Sequence, residues 1–175
     1  MPRKRTSGGI LLAVAAVFLL SRSSRASNAA PAIPEAMPIL PDAIAAKINT
    51  LAPAAKPVFA RFLFDVLHDL GFTPIITSAY RSFEQQQVLF NKGDTKTPPG
   101  YSFHNYGMAL DLNFAKGSTY LNLSSPKQQW IHSGIPTLAT EYNIRWGGDF
   151  STPDKVHFDL GNDYNINDLF AAVSQ

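Results

Sequence analysis

Apolar residues recur every third or fourth position from Phe59 through Phe62, Leu63, Val66 and Leu67 to Leu70, which predicts an amphipathic helix over 56–70 closed by Gly71. Further along, the period changes from 3.6 to 2. Met108, Leu110, Leu112 and Phe114 alternate with Ala109, Asp111 and Asn113; Val156, Phe158 and Leu160 alternate with Lys155, His157 and Asp159. Each run reads as a half-buried strand with its apolar set on one face. Asp111 and His157 then fall on the opposite face, and if the strands share one antiparallel sheet, on the same opposite face.

Weaker signals fill in the rest. A short helix is expected over 42–51 with Asp42 as its cap, and a β-rich run over 73–79. Ser82 and Gln85 have the spacing of a capping box and open a helix that runs to about Asn91. Residues 92–101 contain Gly93, Pro98, Pro99 and Gly100 and read as a loop, and 116–122 as a turn region. Ser125 and Pro126 open a helix to about Tyr142, interrupted near Gly134-Ile135-Pro136. Arg145 to Phe150 reads as a strand end and turn, and 167–173 as a last short helix. His68 and His132 lie outside any ligand pattern; His68 is expected to be exposed and His132 to be structural or exposed. The fold class is α+β: a small antiparallel sheet with one polar face and helices packed on the other.

Composition narrows the chemistry. Of 175 residues, 45% are apolar and 16% charged, enough for a packed core and too few charges for a disordered chain. The net charge of +2 owes much to Arg3, Lys4 and Arg5, so the remainder carries no nucleic-acid footprint. There is no cysteine, which leaves His, Asp and Glu as the strong metal ligands. The basic start precedes an apolar run from Gly8 to Leu20 and then small residues with cleavage candidates at Ser24/Ala26 and Ser27/Ala29. As a helix, 13 residues would span about 20 Å against roughly 30 Å of hydrocarbon. A cleaved secretory leader over 1–28 is favoured over an uncleaved anchor that would associate with a membrane. Residues 29–41 contain Pro31, Pro34, Pro38 and Pro41 among alanines and read as an extended linker. The domain proper is expected over 42–175, as a monomer. An exported location is implied: periplasm, cell envelope or virion, with or without membrane anchorage.

Spacing constrains how ligands could meet. His104 and Asp111 are seven residues apart, about 10.5 Å along a helix axis, too far for two ligands each roughly 2.0–2.2 Å from one ion. The chain must bend between them, and Gly107 is the residue that permits it. With His157 this makes two histidines and one carboxylate, a frequent three-ligand set for a catalytic metal with one position open. Asp154 precedes His157 by three residues, outside the alternation, where it can act as a general base and acid. Arg81, at a strand end before a helix, can face an oxyanion.

These residues also form motifs. Ser-x-His-x-x-Gly-x-Ala-x-Asp at 102–111 with Asp-x-x-His-Phe at 154–158 resembles the M15 family of zinc peptidases that cut peptidoglycan stems. Ser-Ala-Tyr-Arg-Ser at 78–82, followed by Gln85 and Gln86, resembles that family's arginine segment. Trp146-Gly147-Gly148-Asp149-Phe150 is most similar to its L-alanyl-D-glutamate endopeptidase branch, which includes phage endolysins. The resemblance covers about 73–160. It implies a hedgehog/D-Ala-D-Ala peptidase-like fold, Zn2+ on His104, Asp111 and His157, Asp154 as base and acid, and Arg81 facing the substrate carbonyl. Gln86, Ser102 and Trp146 are the implied substrate contacts, and peptidoglycan is the implied partner. Family carboxypeptidases usually carry Glu in place of Asp154 and Trp in place of Val156. That departure favours the endopeptidase, with D-alanyl-D-alanine carboxypeptidase as the alternative.

Two other classes fit parts of the pattern. Non-haem iron oxygenases also use two histidines and a carboxylate, but nothing here suggests a cosubstrate site. A non-catalytic wall-binding or membrane-held module on this scaffold would have no need of Asp154.

Overall fold

A computed structural model describes residues 38–174. The expected leader, and the linker up to residue 37, lie outside the described residues. Helices α1 (Asp42–Ile48) and α2 (Ala55–His68) lead into strand β1 (Thr73–Ser78) and helix α3 (Phe83–Lys92). A 3-10 turn, Phe103–Tyr106, precedes β2 (Ala109–Lys116) and β3 (Thr119–Leu121). Helices α4 (Lys127–His132) and α5 (Ile135–Glu141) follow, then β4 (Arg145–Trp146), a second 3-10 turn (Gly147–Asp149), β5 (His157–Asp159) and α6 (Ile166–Val173). Among the described residues no helix is long and apolar enough to cross a membrane.

The sheet is antiparallel in every pairing, in the order β1-β2-β5-β4, with β3 added to β2. Leu110, Leu112 and Phe114 on β2 and Phe158 on β5 have no solvent exposure and pack against Phe59, Phe62 and Leu63 of α2, equally buried. The rings interlock, with Phe62 5.7 Å from Phe158 and Phe114 edge-on to Trp130 at 5.9 Å. Each such side chain contributes about 1.5–3 kcal/mol by burial. The predicted α+β layering is therefore present: apolar strand faces on helices, and the other face free for polar side chains.

Several local expectations are corrected. Asp42 does not cap α1; Pro41 occupies that position without a side-chain bond, and Asp42 lies in the first turn, where its charge complements the helix dipole. The turn region 116–122 is a hairpin, because Phe114 and Leu121 pair across Gly117 at φ +55° and give three residues a ladder too short to announce itself by periodicity. Strand β1 stops at Ser78. The interruption expected near Gly134-Ile135-Pro136 is present: two helices are parted at Gly134 with φ +78°. His68 and His132 are exposed.

The strand expected over 156–160 is shorter as a ladder but hydrogen-bonded throughout: Leu112 N–H donates to Val156 O at 2.8 Å and Leu160 N–H to Met108 O at 3.1 Å. Asp111 sits directly opposite His157. On the other side of β2, a bulge between Ile76 and Ser78 sets Ser78 opposite Asp111. Three strands thus deliver side chains to one spot.

Candidate metal centre

His104 arrives from the 3-10 turn. Gly107 ends that turn at φ +65°, and a Cβ there would lie 2.6 Å from the Ala52 nitrogen, so both the bend and the close approach require glycine. With the chain reversed, His104 Nε2 lies 3.1 Å from Asp111 Oδ1 and 3.3 Å from His157 Nδ1, and His157 Nδ1 lies 3.2 Å from the same Asp111 oxygen. Among the described residues these three form a group able to hold a metal ion. Four-coordinate zinc with bonds of roughly 2.0–2.1 Å has ligand–ligand edges of about 3.3–3.4 Å. The triangle has that size, and the donor set suits zinc.

The second nitrogen of each imidazole is engaged. His104 Nδ1–H donates to the Ala79 carbonyl at 2.7 Å, and His157 Nε2–H to Asp159 Oδ2 at 3.0 Å. These acceptors engage the outward nitrogen of each ring, so the nitrogen facing Asp111 is the one left for an ion. Arg81 holds the outer oxygen of Asp111 through Nη2 at 3.1 Å, while its guanidinium also donates to Ser78 Oγ at 2.9 Å and Gln86 Oε1 at 2.8 Å. Asp111 therefore presents one oxygen inward and one to Arg81.

The electrostatics favour positive charge at the centre. Burial alone would raise Asp111, but His104 and His157 overcome it and hold the carboxyl well below its usual range. Burial alone would lower His157, but its bonds to Asp111 and Asp159 push it up to about 9. Asp154 behaves oppositely: burial first, then the Asp111 charge, raise it above an ordinary aspartate. Its Oδ1 is buried with no hydrogen-bond partner among the described residues. A buried orphan oxygen beside a cation site is what a proton acceptor for a bound water requires.

Asp154 is positioned by the glycines before it. Its N–H donates to Gly147 O at 2.8 Å, and its own carbonyl accepts from His157 N–H at 3.1 Å. A Cβ on Gly147 would meet Asp154 O at 2.3 Å and His157 Cβ at 3.0 Å. Gly147→Ala must displace both residues, and a shift near 1 Å costs about 10²-fold in rate. The expected result is kcat lower by that order in a soluble, folded variant, checked by circular dichroism beside the kinetics.

The other site candidates are distributed unevenly. Gln86 is fully buried, its carbonyl accepting from Arg81 and its amide donating to Thr97 O at 2.7 Å, so it holds Arg81 rather than facing a ligand. Trp146, 5% exposed, turns its ring toward Trp130 and donates to Lys155 O at 2.8 Å; it is part of the core behind the site. Ser102 is nearly buried but lines a cavity of about 710 Å³ that also contains His157. Sequence reasoning passed over Asp159, Arg145, Ser78 and the Ala79 carbonyl. Asp159 had a signal, since it shares the strand face of His157 two residues away; a backbone carbonyl has none.

A family profile described as D-alanyl-D-alanine carboxypeptidase, one of the M15 peptidases, matches residues 95–160, which carry all three ligands and Asp154. The chain is 31% identical over 105 residues to the peptidoglycan L-alanyl-D-glutamate endopeptidase CwlK of Bacillus subtilis. Residues 95–160 are thus similar to M15 peptidases. The match to CwlK covers 51% of this chain and 62% of the relative, so the chain spans less than two thirds of its length. An L-alanyl-D-glutamate peptidase of Listeria phage A118 is 34% identical over 108 residues, 61% of this chain and 36% of the relative. A D-alanyl-D-alanine carboxypeptidase of Enterococcus faecium is 38% identical over 60 residues, 33% of this chain and 18% of the relative. The fold is similar to that in the crystal structure of Serratia marcescens L-Ala D-Glu endopeptidase ChiX, with TM-score 0.52 and 20% identity over 68% of this chain and 86% of that one.

Proposed function

We propose that the domain is a zinc-dependent peptidase of peptidoglycan stem peptides, cutting the bond between L-alanine and D-glutamate. The observation that carries the chemistry is the convergence of His104 Nε2, Asp111 Oδ1 and His157 Nδ1 beside the unpartnered Asp154 oxygen. The bond preference is supported by the Bacillus and phage relatives, both named for it. The carboxypeptidase reading is supported by the family profile's description and the Enterococcus relative. Asp154 and Val156, where such carboxypeptidases usually carry Glu and Trp, favour the endopeptidase.

When bound, zinc supplies a Lewis acid and brings the pKa of a water ligand near neutrality. Asp154, raised by burial, would accept a proton at its free Oδ1 and hold it for the leaving amine. Arg81 keeps Asp111 from rotating and leaves guanidinium N–H groups for a substrate carbonyl. Export to the envelope, with the leader removed or kept as an anchor, and action as a monomer belong to the same proposal and rest on the N-terminal sequence and the substrate.

The test is digestion of purified sacculi by zinc-loaded protein, followed by mass spectrometry of the fragments. Glycan-linked stems ending in L-alanine are expected. Release of terminal D-alanine instead would establish the carboxypeptidase, and no new amino groups at all would leave a non-catalytic module.

Substrate would reach the centre through the cavity beside His157. Its outer wall is the segment from Gly161 to Leu169, pinned where Phe170 stacks on Tyr101 at 4.9 Å over Gly100, whose missing side chain leaves room for the ring. Phe170→Ala frees this wall. KM is expected to rise about 2- to 10-fold with little change in kcat, equivalent to ordering one side chain on binding at roughly 0.5–1.5 kcal/mol. Steady-state kinetics on a soluble muropeptide checks it.

A further inference from the structure

We propose that Arg145 and Asp159 are positioning residues that orient His157 and thereby set the affinity of the centre for its metal, an inference that rests on the metal-site reading above. Arg145 and Asp159 are direct cross-strand partners on β4 and β5. The guanidinium forks onto the carboxylate, Nε to Oδ1 at 2.7 Å and Nη2 to Oδ2 at 2.8 Å. Asp159 is 1% exposed, and its Oδ2 also accepts from His157 Nε2–H, while Oδ1 accepts from Gly161 N–H at 2.8 Å. Both oxygens are thus fully committed, and the carboxylate cannot turn without losing a partner.

Arg145, with 36% of its side chain exposed, is flanked by two rings. Its guanidinium carbon lies 5.2 Å from the centre of the Phe103 ring and 5.1 Å from that of Phe150. Gly161 leaves space for it, since a Cβ at that position would come within 2.1 Å of the guanidinium. Phe150 also contacts the His157 ring, with centroids 5.9 Å apart. A bidentate fork, a glycine gap and two flanking rings exceed what joining two short strands needs, and they end on the imidazole nitrogen opposite the one that faces Asp111. Lysine cannot reproduce a planar fork, so the arrangement depends on arginine and not on its charge alone.

The test is zinc affinity of the full chain, by competition with a chelating dye, for Arg145→Lys and Asp159→Asn. Loss of partners to a ligating histidine typically weakens metal binding 10- to 100-fold, and a fall of roughly that size is expected in both. A purely structural ion pair would lower the melting temperature of zinc-free and zinc-loaded protein alike and leave zinc affinity at the wild-type value, which would overturn the proposal. Should either variant not fold, nitrogen-15 spectra of the His157 ring in zinc-loaded wild-type protein decide: a protected Nε2–H is expected, and an Nδ1–H tautomer overturns it. Neither readout involves substrate. Wild-type protein that binds zinc but cuts no peptidoglycan would end the proposed function and leave this inference standing, whereas wild-type affinity in the variants would do the reverse.

Discussion

Asp154→Ala is expected to lower kcat by about 10²- to 10⁴-fold, the usual contribution of a positioned general base, while zinc stoichiometry stays at the wild-type value. The two measurements belong together. Asp154 is not among the three atoms that converge, so its loss should not empty the centre. Its Oδ1 makes no hydrogen bond among the described residues, and the backbone N–H of Val156 is the donor that bonds the carboxylate. The change costs that one bond, about 0.5–1.5 kcal/mol, and relieves the burial of a carboxylate, so the fold should tolerate it. The pH profile gives an independent check. Because burial and the Asp111 charge raise Asp154, the acid limb of kcat/KM should lie above the ordinary aspartate value of about 3.9. Activity at wild-type level in Asp154→Ala would remove the residue from the mechanism.

His157→Ala is expected to abolish both zinc retention and hydrolysis, measured by metal analysis after dialysis and by release of amino groups. It takes away one ligand and leaves Asp159, a carboxylate at 1% exposure, with Arg145 and the Gly161 N–H as its partners. The same histidine sets the pH dependence of loading in the native protein. Its folded pKa is raised to about 9 from the ordinary 6.5, so below about 9 zinc must displace a proton from it. Apparent zinc affinity should therefore climb with pH, by close to one decade per unit between about 7 and 9, and level off above. Protein stripped by chelator should show the matching trend in stability. The raised pKa contributes stability that is complete below about 6.5 and is lost as pH rises through about 9. Its melting temperature should fall over that interval, while zinc-loaded protein, whose His157 carries no exchangeable charge, should not follow it.

How much of this could be read before folding depends on the range of each interaction. Periodicity is local, so the stripe of α2 and the alternation of β2 and the β5 run were legible, and so was the division of each strand into an apolar and a polar face. The bend at Gly107 followed from arithmetic, since seven residues of helix cannot bring two ligands to one ion. Three residues of β3 hold too little pattern to register and exist because Phe114 pairs with Leu121. Gln86 and Trp146 stood in the right motifs, yet the structure turns one into the support of Arg81 and the other into the core. A motif gives adjacency along the chain; the direction of a side chain is set by what packs around it.

The chain's own order of residues therefore settles which chemistry is available: two imidazoles and a carboxylate with no thiol to compete, on segments whose patterning puts them on a common face. Three-dimensional packing settles how that chemistry is held. The β2–β5 register brings Asp111 opposite His157, the bulge at Ser78 aims Arg81 at Asp111, and the β4–β5 pairing sets Arg145 against Asp159. Each of these joins residues 14 to 46 positions apart. Contacts at such separations form only when the sheet closes, and no local propensity encodes them.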